Sequence, residues 1–141
     1  MKQQSMLKFL TAQKTDYESA LTEIKAGRKQ GHWMWYIFPQ IAGLGVSSTS
    51  VYYAIADLQH ATEYLEHPVL GPRLIEICEA LLGVEQKTAR EIMGSPDDLK
   101  LRSSMTLFSS VNGADNVFDR VLQKYFDGKP DNKTLDFLGK L

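Results

Sequence analysis

The sequence predicts an all-α fold: one globular domain spanning residues 1–141, built of seven to eight short helices. Three observations carry this expectation. Apolar residues recur at three- and four-residue intervals along most of the chain. Helix-start and helix-stop residues bracket these runs. One continuous apolar run, Trp33 to Phe38, could be a strand, and no second run exists to pair with it.

Composition sets the outer limits. Of 141 residues, 43% are hydrophobic and 23% charged, an ordinary globular balance that can bury a core without staples. The longest apolar run falls far short of the roughly 20 residues that span a bilayer. Met1 to Leu10 lacks an apolar stretch followed by a small-residue cleavage site. A cytoplasmic location with no membrane partner is therefore expected. The formal net charge of −1 argues against duplex nucleic acid as a partner. Cys78 stands alone, and His32, His60 and His67 are scattered, so neither a disulfide nor a metal site is expected, and no cofactor is implied. Nothing in the pattern fixes an oligomeric state.

The elements follow in order. Tyr17, Ala20, Leu21 and Ile24 share a helical face, with Thr15 and Asp16 at the cap position and Gly27 as the stop. His32 to Gln40 has no clean period and reads as a helical turn or a packed irregular segment ended by Pro39. Ile41 to Thr49 is a loop, and Ser48 or Thr49 caps a helix through Tyr52, Tyr53, Ile55 and Leu58. Asp57 starts a further short helix through Tyr64 and Leu65. His67-Pro68 opens a helix to Leu82, with Leu70, Leu74, Ile77, Cys78, Leu81 and Leu82 on one stripe and Gly83 beyond. A short helix, Thr88 to Met93, stops at Gly94. Ser95-Pro96-Asp97-Asp98 combines a cap, a first-turn proline and two acids suited to the helix dipole, and predicts a helix to about Val111. Asn116 to Phe126 and Asp131 to Leu138 complete the set. No repeat of fixed period is present.

Two segments could carry chemistry. His32, Trp33, Trp35 and Gln40 belong to an aromatic run flanked by Arg28 and Lys29. Flat rings beside cations suit a planar anion such as a nucleotide, whereas the plainer alternative is that the rings are core. Lys100, Arg102 and Ser103 supply cationic and hydroxyl donors. The plainer alternative there is a serine bonded to the carbonyl one turn back. A Ser–Lys nucleophile lacks an orienting third group, and His32 as a general base rests only on its neighbours. Gly43 and Gly45 match neither a Walker loop nor a dinucleotide fingerprint. Cys78, on an apolar stripe, reads as a buried structural thiol.

The string Gly27-Arg28-Lys29, His32-Trp33-Met34-Trp35-Tyr36-Ile37-Phe38-Pro39-Gln40 and Gly43-Leu44-Gly45 resembles the central signature of a bacterial family catalogued as domain of unknown function 1810. His67-Pro68-Val69-Leu70-Gly71 and Ser103-Ser104-Met105-Thr106-Leu107-Phe108 are similar to its later motifs. The resemblance runs from about Phe9 to Leu138. It implies a single all-helical domain and supplies no activity, substrate or cofactor. The calpastatin label sometimes attached to the family does not suit this chain, since such an inhibitor is a disordered repeat protein.

The functional expectation is that His32, Trp33, Trp35, Gln40, Lys100, Arg102 and Ser103 converge on one cleft for a small anionic ligand, a nucleotide or another phosphorylated metabolite. Whether a reaction follows is left open. The alternative is a protein-interaction or regulatory module that uses an exposed aromatic patch.

Overall fold

A computed structural model describes residues 2–140, with side chains from Met6 onward. Nine α-helices are described: α1 Lys2–Lys25, α2 Met34–Ile37, α3 Ser48–Tyr53, α4 Leu58–Glu66, α5 Leu70–Gly83, α6 Ala89–Met93, α7 Asp97–Ser109, α8 Val117–Phe126 and α9 Asn132–Phe137. The ninth arises because the aromatic segment forms its own turn, α2. Among the described residues there is no strand, only an isolated parallel bridge between Ile41 and Ile55.

The first helix is longer than its cap residues suggest. Thr15 and Asp16 lie inside α1, not at its start. The buried stripe continues back through Phe9 and Met6, interrupted by one polar residue, Gln13, itself buried. The Gln13 amide nitrogen donates to the Tyr36 carbonyl at 2.7 Å and the Tyr64 hydroxyl at 3.0 Å. Its oxygen accepts from Arg73 at 3.4 Å. A buried amide so engaged is stabilising in place and costly to strand. Gly27 ends the helix at φ +78, with its N–H on the Ile24 carbonyl.

Other boundaries shift for local reasons. Ser47, rather than Ser48 or Thr49, caps α3 by accepting from the Ser50 N–H. That helix stops at Tyr53, because Ile55 leaves it to pair with Ile41 and is fully buried. His67 Nδ1 accepts from Val69 and Leu70 N–H groups, so α5 begins two residues after Pro68. Ser95 makes no cap bond to α7; Gly94 and Pro96 carbonyls take the first N–H groups instead. Asp57 and Asp131 cap α4 and α9 as their positions suggest, and Thr88 and Glu91 exchange both bonds of a capping box on α6.

Helix α7 runs through the centre, against α8, α6, α4 and α9. Leu101, Met105, Leu107 and Phe108 are fully buried. The Phe108 ring lies 5.3 Å from Tyr64 and 5.8 Å from Phe118. Cys78 is buried beside Met105 at 3.6 Å, and burial pushes its thiol pKa well up, as an inert structural thiol requires.

Candidate functional site

The aromatic segment is anchored by a carboxylate. Glu23, in the last turns of α1, accepts at Oε1 from the N–H groups of Gln30 (2.8 Å) and Gly31 (2.9 Å) and from the Trp33 indole (2.9 Å). Partial burial works to raise the Glu23 pKa. The two backbone N–H groups, the indole and the nearby Lys29 outweigh it and hold the carboxyl below its usual range. Gly31 is needed here, because a Cβ would stand 2.8 Å from Trp33 Cδ1. Trp33 is only 2% exposed and packs 6.1 Å from Phe38. Trp33 is therefore core, and its one polar atom is already partnered.

Cations and rings then alternate toward α7. Lys29 Nζ lies 4.9 Å from the Trp33 ring centroid, donates to the Gly31 carbonyl at 2.6 Å, and pairs with Asp97 at 2.9 Å. Asp97 also faces Lys100 at 3.6 Å, and Lys100 lies 5.6 Å from the Trp35 ring centroid. This chain of contacts fastens α2 to the first turn of α7. It also covers a face of each tryptophan with an ammonium. Trp35 and Gln40 border a hollow of about 10 Å³, room for one water molecule and too little for a second ring.

Beside this chain lies an open groove of about 450 Å³. Gln40, Lys100, Arg102, Ser103, Asn132 and Lys133 supply its polar wall. Leu44, Pro96 and Leu99 supply an aliphatic one. Arg102 donates from Nε to the Lys129 carbonyl and from Nη2 to the Pro130 carbonyl, both at 2.9 Å. Its Nη1 has no partner among the described residues. Asp131 also lines the groove, but Oδ2 is occupied by the Thr134 N–H and hydroxyl. Ser103 is buried and donates to the Leu99 carbonyl one turn back, the local bond that makes a helical serine structural. The Asp131 N–H donates to Thr106 Oγ1 at 2.8 Å, so α7 itself positions the segment that carries Asn132 and Lys133.

Of the seven residues singled out from the sequence, Gln40, Lys100, Arg102 and Ser103 line this groove. Trp35 borders the adjoining hollow and shares Gln40 with the groove. Trp33 is core, and His32 is exposed and borders neither space. The exposed aromatic patch expected of an interaction module is not formed by this segment, since Trp33 and Phe38 are buried. Asn132 and Lys133 were missed because their approach to α7 is tertiary. Glu23 could have been found, as an acid one helical turn before a glycine stop and a run of N–H-rich turn residues.

The fold and the groove define a small all-helical protein with cations gathered along one open groove. The chain belongs to the family described as protein of unknown function (DUF1810), whose model matches residues 3–138. It is similar to the crystal structure, at 1.38 Å, of the conserved hypothetical protein Rv1873 from Mycobacterium tuberculosis. The two are 46% identical, with a TM-score of 0.93 over 95% of this chain and 96% of that one. A search of curated proteins finds no match. No helix among the described residues is long and apolar enough to cross a membrane.

Proposed function

We propose that this chain is a cytosolic protein that binds a small phosphorylated metabolite in the groove between α7 and the segment preceding α9. The observation that carries the reading is charge convergence. Lys133, the free Nη1 edge of Arg102 and Lys100, which also meets Asp97, border a groove with one lining carboxylate, Asp131, whose Oδ2 is engaged at the α9 cap. Gln40 and Asn132 offer amides to ligand hydroxyls, and Leu44 and Leu99 offer aliphatic contact. No aromatic ring lines the groove, which favours a sugar-phosphate-like ligand over one held by base stacking. Ser103 enters as a binding group, with its hydroxyl proton committed to a carbonyl. A lone buried thiol, with no disulfide, suits the cytosol. A protein-contact role is the second reading, favoured by the exposed Val46 (94%) on the loop before α3 and Val51 (63%) within α3.

Thermal unfolding with inorganic phosphate, glucose 6-phosphate, AMP and glucose tests the first reading. A ligand at about 100 times its Kd adds about 2.7 kcal/mol to stability. The phosphorylated sugar should raise the midpoint and glucose should not. Lys133→Ala, which removes an exposed side chain, should leave the free protein's midpoint unchanged and abolish most of the shift. Absence of any shift with phosphorylated ligands, or a shift indifferent to Lys133→Ala, would sink the reading. AMP binding far tighter than the sugar phosphate would overturn the sugar-phosphate preference.

A further inference from the structure

A second cavity, of about 200 Å³, is formed by α4, α5, the turn between α7 and α8, and the first turn of α8. Its chemistry is the reverse of the groove's. The floor is apolar, with Phe118 fully buried and Leu65, Ile75 and Val111 around it. The rim carries two exposed carboxylates, Glu66 from α4 and Asp115 from the turn, and no lysine or arginine lines the space. The Glu66 carboxylate makes no hydrogen bond or ion pair among the described residues. Asp115 gives one oxygen to the Val117 N–H and leaves the other free.

The helix ends reinforce this sign. Glu66 is the last residue of α4, where the carbonyl end of the dipole already disfavours an acid. Val111 and Asn112, the residues just beyond the C-cap of α7, line the same cavity. Neither helix has a basic residue in its last turn to offset its dipole. Two helix C-termini and two carboxylates thus border one apolar hollow, against one positive end, the N-terminus of α8, whose Val117 N–H Asp115 Oδ1 already meets. The lining offers no internal cation to relieve that field.

We infer that this cavity is a second binding site, for a compact apolar ligand bearing one ammonium group. The apolar body would occupy the space over Phe118, and the ammonium would sit at the rim between Glu66 and Asp115. Gly113 leaves the approach open, since a Cβ there would meet nothing within 4 Å. The site is separate from the phosphate groove: no residue lines both spaces, and the charge is opposite.

The test uses benzylammonium, with benzyl alcohol as the neutral match and benzoate as the opposite charge, added to the ¹⁵N-labelled full chain. Benzylammonium should give saturable amide shifts at Glu66, Gly113 and Asp115. Benzyl alcohol should bind about fivefold more weakly, the size of one partly exposed ion pair, and benzoate more weakly still. Glu66→Gln and Asp115→Asn, which keep shape and the Val117 bond, should each weaken benzylammonium severalfold and leave benzyl alcohol unchanged. Equal affinity for the charged and neutral probes would overturn the inference. So would saturation centred elsewhere, indifference to both variants, or no saturable shift with any probe.

Discussion

Glu23→Gln isolates what one negative charge does for the Arg28–Trp33 turn. The variant keeps an oxygen where Oε1 now accepts three bonds, from Gln30, Gly31 and Trp33. What is lost is the charge. Hydrogen bonds to an ionised acceptor contribute about 1.5–3 kcal/mol each, against about 0.5–1.5 for neutral ones. Three such differences would sum to about 3 kcal/mol; solvent screening of a partly exposed carboxylate reduces this to about 2 kcal/mol. For a chain of this length that is a drop of about 7 °C in Tm. The pH dependence is the sharper readout. The Glu23 carboxyl is held below its usual range in the folded state. Its contribution is therefore fully present above the unfolded carboxyl's pKa and is lost as pH falls through the folded one. Urea unfolding of both proteins from neutral pH downward should show a gap of about 2 kcal/mol at neutrality, closing in acid. A gap that stays constant with pH would refute the reasoning, because it would assign the loss to shape and not to charge.

Four further substitutions test two other joints. Gly71→Ala would place a Cβ 2.0 Å from the Leu65 carbonyl oxygen, a backbone atom with nowhere to go, and should cost about 3 kcal/mol or more. Gly83→Ala, whose Cβ meets nothing within 4 Å, should be near neutral by the same urea measurement. Arg102→Ala removes the clamp on the Lys129 and Pro130 carbonyls and should cost about 1–2 kcal/mol. Because Thr106 holds the same segment through the Asp131 N–H, Arg102→Ala and Thr106→Val should couple in a double-mutant cycle by at least about 0.5 kcal/mol. A loss of several kcal/mol for Arg102→Ala alone would instead mean that it neutralises a half-buried acid such as Asp98, whose Oδ1 has no partner among the described residues.

Much of the fold was legible because helix punctuation is local. Gly27, Asp57, Thr88, Gly94 and Asp131 act within a turn of where they stand, so their roles survive without tertiary knowledge. The start of α1 was not legible, because Thr11 to Asp16 is polar and the buried member of the stripe there is Gln13, whose burial depends on Tyr36, Tyr64 and Arg73. Ser95 was misleading: the cap signature is present, yet backbone carbonyls satisfy the first turn. In the candidate site, Lys100 and Arg102 stood out because charged residues beside a buried stripe are visible in sequence. Trp33 and Trp35 could not be told apart there. One is core, held by Glu23 and Lys29, and the other is half-covered on α2 beside Lys100, contacts that are tertiary or span several residues.

Gln13 has a consequence for how α1 finds its place. The apolar stripe of that helix repeats every turn, and an apolar stripe alone would tolerate a shift of one turn, about 5.4 Å, with modest loss of buried area. The amide breaks that translational degeneracy. A slip would carry Phe9 or Tyr17 to the position facing the Tyr36 carbonyl and the Tyr64 hydroxyl, and would leave those buried groups without Gln13 as a partner. The strength of docking thus comes from the apolar residues, while the single permitted alignment comes from one side chain among them.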